Sequence, residues 1–175
     1  MTNYKIDPAH SEILFKVKHL MITNVTGTIK KFDASMQSDK PDFSDAAITF
    51  EADTDSVTTN NEQRDAHLKS DDFFNAAKFP KIKFASTGIQ KRSDEEYKLT
   101  GNLTIRDITK PVELKVAYGG KVTDPYGQTK AGFELTGKIN RKDYGLTWNA
   151  VTEAGGIVVS DDVKLQVNVQ MIKQA

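Results

Sequence analysis

From Ile13 to Met171, apolar residues return at every second position in one run after another, and this two-residue period constrains the fold more than any other feature. Ile13, Phe15 and Val17 alternate with Glu12, Lys16 and Lys18, and only Leu14 is out of phase. Successive side chains of an extended strand point to opposite faces, so such a run buries one face and wets the other. Val25, Gly27 and Ile29 continue the pattern, which slips by one residue at Lys30-Lys31 before Phe32, Ala34 and Met36 resume it. The slip predicts a β-bulge.

Further runs are Ile48 to Ala52, Ile82 to Phe84, Tyr97 to Ile105, Val112 to Tyr118, Ala131 to Ile139 and Val163 to Met171. Together they predict about eight strands. Gly119-Gly120 and Asp124-Pro125-Tyr126-Gly127 read as turns. Gly101 and Gly137 fall at inward positions, which suits a strongly coiled barrel wall. Closure of that wall removes exposed sheet edges.

One segment departs from the period of two. Asn60-Asn61-Glu62-Gln63 has the form of a helix N-cap with Gln three residues on, and good helix formers follow through Lys69. The sequence predicts a single helix here, ending near Phe73-Phe74 ahead of Pro80. The expected fold class is all-β with one added α-helix, organised as one domain over residues 1–175.

Charge narrows the partners. Lys plus Arg and Asp plus Glu each number 24, without long runs of one sign, so nucleic acid and anionic membranes find no broad electrostatic footprint. No stretch reaches membrane-spanning length, so no stable membrane insertion is expected. The start, Met1 to Pro8, lacks a basic segment followed by an apolar one, which predicts a cytoplasmic protein. With no cysteine, thiolate metal sites and cysteine nucleophiles are excluded.

The three histidines, His10, His19 and His67, show no metal-ligand spacing, and no metal or other cofactor is expected. Ser11 follows His10 directly, but neighbours on an extended chain point apart, which defeats a nucleophile-base pair. No nucleophile elbow or phosphate loop is present, and no catalytic residue is assigned. On the expected helix, Arg64, His67 and Leu68 share a face, either to meet a ligand head group or, with Asp65, to dock the helix on the barrel rim.

Several motifs resemble those of the YceI-like, polyisoprenoid-binding proteins. The most specific is Arg64-Asp65-x-His67-Leu68-x-Ser70-x-Asp72-Phe73-Phe74. Others are Ile6-Asp7-x-x-His10-Ser11-x-Ile13-x-Phe15-x-Val17-x-His19, Gly101-x-Leu103-Thr104-Ile105, Thr109-Lys110-Pro111-Val112, Ile139-Asn140-Arg141-x-Asp143-Tyr144-Gly145-Leu146 and Val159-Ser160-Asp161. Tyr4, where that family is expected to have tryptophan, and Asp107, where it is expected to have glycine, depart from the pattern. The resemblance implies an extended lipocalin-like, eight-stranded antiparallel β-barrel with an added helix. Its channel would hold an apolar isoprenoid lipid, such as a polyprenyl chain or an isoprenoid quinone tail, and a homodimer is also implied.

Inward apolar faces alone do not separate an open channel from a barrel filled by its own side chains. If the channel is open, its expected lining is Phe15, Val17, Phe32, Phe50, Phe84, Leu103, Leu114, Phe133, Leu135 and Trp148, with Phe73 and Phe74 near the helix. Met36 and Met171 are adaptable contacts, and His19, Arg64 and His67 are the candidate head-group contacts. The alternatives are a barrel enzyme that uses His19, His67 and Arg64, and a filled barrel whose partner binds the outer wall.

Overall fold

A computed structural model describes residues 2–149 and 158–175. The strands are β1 (Thr2–Ile6), β2 (Glu12–His19), β3 (Thr23–Ile29), β4 (Phe32–Ser38), β5 (Ala47–Asp53), β6 (Val57–Thr58), β7 (Lys81–Lys91), β8 (Glu96–Ile105), β9 (Ile108–Thr123), β10 (Thr129–Asn140) and β11 (Asp162–Lys173). The helix α1 (Glu62–Lys69) lies between β6 and β7. All pairings are antiparallel, in the order β1-β4-β5-β7-β8-β9-β10-β11, and β11 returns to β1 to close an eight-stranded, lipocalin-like barrel.

The remaining three strands prolong the same wall. Near its C-terminus β11 pairs with β1 (Ile6↔Met171), and nearer its N-terminus with β2 (Phe15↔Leu165). β1 and β2 are therefore two halves of one broken wall position. The break is the Pro8–His10 turn, where Asp7 accepts a hydrogen bond from the Ala9 amide at 3.1 Å. β3 and β4 split likewise, β3 pairing with β2 and β4 with β1, and β5 and β6 split at Thr54–Ser56.

Three local expectations are corrected. The phase slip at Lys30-Lys31 is not a bulge but the break between β3 and β4, where the Lys31 amide donates to Ser56 Oγ at 2.9 Å and its carbonyl accepts from the Asp53 amide at 2.9 Å. Gly119-Gly120 is no turn. β9 runs straight through it, and the register shift opposite Gly132/Phe133 absorbs the extra residue as a bulge. α1 is capped by Asn61, whose side chain accepts from the Arg64 amide, and it ends at Lys69, short of Phe73-Phe74. Ser70 stops it by taking an extended backbone while its hydroxyl donates to the His67 carbonyl at 2.6 Å.

The barrel has two unlike ends. The lower end carries the β4–β5, β7–β8 and β9–β10 connections; the upper end carries the β2–β3 hairpin, α1, the β8–β9 turn and the segment before β11. In the β8–β9 turn the positive φ falls on Arg106, so its neighbour Asp107 has no need of the glycine expected there.

At the lower end Phe43 is 1% exposed and meets Tyr4, Tyr118 and Phe133 edge-on at centroid distances of 5.5, 5.5 and 5.3 Å. The β4–β5 loop holds this plug in place. Asp45 accepts from Ser38 Oγ at 2.6 Å and the Asp39 amide at 2.9 Å, and the Tyr97 hydroxyl donates to the Asp42 carbonyl.

Candidate functional site

Inside the barrel lies a cavity of about 400 Å³. That volume falls within the range of small-molecule pockets, about 300–1,000 Å³, so the wall is not filled by its own side chains. Its space depends on alternating large and absent side chains. Phe15 lies over Gly27, Phe84 over Gly101 and Leu114 over Gly137, so close that a Cβ at each glycine would come within 2.1, 2.4 and 2.5 Å of the neighbouring side chain.

Of the expected lining residues, Phe15, Val17, Phe50, Phe73, Phe74, Phe84, Leu103, Leu114, Phe133, Leu135 and Trp148 all border the cavity, as do Met36 and Met171. Phe32 does not. Standing beside the β3–β4 break, it packs against core side chains but borders a separate surface dent with Lys31, Asp33, Glu51, Asp53 and Lys81.

Among the described residues the apolar lining gives way to polar groups at the upper end alone, at Lys18, His19, Thr59, Arg64, His67 and Arg141. No carboxylate is among them. Lys18, His19 and Arg64 are exposed, so the cavity reaches solvent here. His67 meets Trp148 edge-on at 4.7 Å and Phe73 at 5.1 Å, and its Nε2 is 2.8 Å from Asp72 Oδ2. The ring is therefore held between an aromatic pair and a carboxylate.

Arg64 reaches the mouth while also docking the helix. Its Nε donates to Thr59 Oγ1 at 2.7 Å and Nη2 to the Thr59 carbonyl at 2.9 Å. Asp65 completes the joint by accepting from the Thr59 amide at 2.7 Å, Thr59 Oγ1 at 2.6 Å and Thr58 Oγ1 at 3.0 Å. Burial pushes the Asp65 carboxyl up, but these hydrogen bonds outweigh it and hold the group below the usual carboxylate range. Of the two roles read from the Arg64 face, these bonds show the docking of the helix, and the same side chain also borders the cavity mouth.

Arg141 was not among the residues singled out, although it stands in one of the family motifs. It is 3% exposed, and its Nε donates to the Ser160 carbonyl at 2.9 Å while Nη1 donates to the carbonyls of Leu146 at 2.6 Å and Trp148 at 2.8 Å. Five fixed N–H donors suit such a task, and they tie the segment carrying Trp148 to the segment entering β11. His10 lies away from the cavity, 2.8 Å from Asp7 Oδ2, and no cluster among the described residues has a metal-binding arrangement.

Comparison with known proteins agrees with this geometry. The YceI-like domain family model matches residues 4–171. A UPF0312 protein of Staphylococcus aureus strain MSSA476 is 39% identical over 171 residues, 97% of each chain. A crystal structure of the Campylobacter jejuni YceI protein superposes with a TM-score of 0.78 at 34% identity, covering 90% of both chains. Burkholderia cenocepacia BcnA gives 0.82 at 21% identity over 94% of this chain and 98% of that one. A polyisoprenoid binding domain from Saccharophagus degradans gives 0.68 at 12% identity over 98% of each, a likeness of fold alone. With the match running almost from end to end, the chain belongs to the YceI-like family.

Proposed function

We propose that the protein is a non-catalytic carrier or store for a long-chain isoprenoid lipid, held with its chain in the barrel and its polar end at the mouth. The observation that carries this reading is the division of the cavity. Its walls are apolar toward the lower end, where Phe43 packs behind Phe133, and among the described residues every charged lining residue stands at the opposite, solvent-facing end. The polyisoprenoid binding domain among its structural neighbours supports the same class of cargo.

Burying each methylene contributes about 0.8 kcal/mol, so one isoprene unit contributes on the order of 3 kcal/mol. Three or four units offset an association cost of about 4–15 kcal/mol only where the cavity takes the whole chain, so affinity should follow chain length. His19, Arg64 and His67 are assigned to the head group. Phe73 and Trp148 flank the point where chain and head group meet.

Native mass spectrometry of the protein purified without added lipid, followed by extraction of any bound molecule, tests this reading. A stoichiometric isoprenoid, recovered chemically unchanged after long incubation, is the expected result. An empty protein that takes up neither polyprenols nor long-chain quinones would overturn it. Conversion of the bound lipid, lost in His67→Ala at unchanged affinity, would make the barrel an enzyme instead.

A further inference from the structure

The hairpin joining β2 to β3 ends in Leu20, Met21 and Ile22, which are 39%, 52% and 79% exposed. A tight turn ordinarily uses Asn, Asp, Gly or Ser, because these accept positive φ or bond their own backbone. Here Leu20 and Met21 take φ of 54° and 59° without that help. The residues that would make the easiest turn are absent, and three adjacent apolar side chains face solvent in their place.

Behind the tip stands unpaired positive charge. Lys16 and Lys18 lie on β2, and Lys164 of β11 sits directly across from Lys16. None of the three forms an ion pair among the described residues. On the other side, β3 offers only the neutral Thr26 and Asn24 as partners. The patch also adjoins the cavity mouth, since His19, next to Leu20, pairs with Val159 and both border the cavity.

We propose that this tip docks the mouth of the barrel onto an anionic lipid bilayer. Leu20, Met21 and Ile22 enter the acyl boundary, Lys16, Lys18 and Lys164 lie against acidic headgroups, and cargo passes between membrane and cavity without crossing bulk water. A protein partner fits less well, because a stable interface covers about 800 Å² on each side and a three-residue hairpin tip presents far less. Attachment through one small apolar tip and three lysines is reversible and weakened by salt.

The inference rests on the lipid-carrier reading for its purpose, but docking is measured on delipidated protein without cargo, so the two fail separately. The test is co-sedimentation with vesicles of phosphatidylcholine alone or mixed with phosphatidylglycerol. Binding to the mixed vesicles, falling roughly tenfold or more in Met21→Ser/Ile22→Ser and losing its salt dependence in Lys16→Gln/Lys18→Gln/Lys164→Gln, is expected.

Because the sequence has no cysteine, Met21→Cys labelled with an environment-sensitive fluorophore reports insertion directly, even where the double serine variant folds poorly. A blue shift on mixed vesicles is expected. No vesicle binding, binding indifferent to the tip substitutions, or a dimer that these substitutions dissociate without any vesicle binding would overturn the proposal.

Discussion

The ring of Phe15 lies over Gly27, its direct cross-strand partner, so that a Cβ on Gly27 would fall 2.1 Å from Phe15 Cζ. Glycine here is the seat of an aromatic ring that would otherwise stand in the channel. The same device recurs where Phe84 covers Gly101, but with a difference. At Gly101 the backbone carbonyl of Ala85 also lies 2.6 Å from the would-be Cβ.

This contrast sets the first prediction. Gly27→Ala should cost about 1–3 kcal/mol and push the Phe15 ring inward, lowering affinity for the bound chain. Gly101→Ala should cost more, because a backbone carbonyl yields less readily than the end of a side chain. Urea unfolding of both variants decides the order, and equal costs would remove the distinction.

Phe43→Ala should open the lower end. Loss of a buried phenylalanine costs about 3–5 kcal/mol, and with the plug gone ligand should leave faster and longer chains should be admitted. Thermal unfolding and ligand dissociation rates measure the two effects. A dissociation rate unchanged by the substitution would show that the cavity has no need of the Phe43 plug.

Arg141→Lys should behave almost as poorly as Arg141→Met. One ammonium cannot reproduce donors fixed toward the Ser160, Leu146 and Trp148 carbonyls. A loss of about 2–4 kcal/mol is expected from buried carbonyls left without donors. Full rescue by lysine in chemical denaturation would show that charge, not geometry, is what the site requires.

Acid should loosen the lower plug. The hydroxyl and amide of Ser44, and then Lys91, hold the Asp42 carboxyl at about 2 against an ordinary 3.8. Its folded value lies below its unfolded one, so its contribution is complete above about pH 4 and lost as pH falls toward the folded value. The melting temperature should therefore drop across that interval, and less steeply in Asp42→Asn. Asp45, lowered chiefly by the Ser38 hydroxyl, adds to the wild-type slope.

Trp148 is the sole tryptophan, and it stands at the cavity mouth against His67 and Phe73. Its emission should change when an isoprenoid binds and saturate at one ligand per barrel. An emission insensitive to a ligand whose binding is proved by mass spectrometry would place the head group away from the His67–Trp148 contact.

Much of this architecture was legible in the alternation of apolar residues. A strand has a side-chain period of two, so inward residues such as Phe15, Phe84, Leu103 and Phe133 declare themselves wherever the period is unbroken. Where the chain breaks or bulges, the same rule misleads. At Lys30-Lys31 a phase slip looks alike whether one strand carries an extra residue or two strands meet, and only the pairing partners of β3 and β4 distinguish them. Phe32 keeps the inward phase of Ala34 and Met36 on β4, yet it stands at the strand's start and packs against the core without bordering the cavity.

The sequence by itself determined the local facts: which face of each strand is apolar, that the Asn61 region starts a helix, and that the chain carries the YceI-like motifs. Those facts depend on backbone periodicity and on near neighbours. Only the tertiary structure decided that the barrel holds an open cavity, that Phe43 closes one end, and that Arg141 ties Trp148 to the segment before β11. Cavity volume depends on how rings from distant strands settle over glycines, and the Arg141 guanidinium draws its carbonyl acceptors from residues up to 19 positions away. Neither leaves a periodic signal, because neither repeats along the chain.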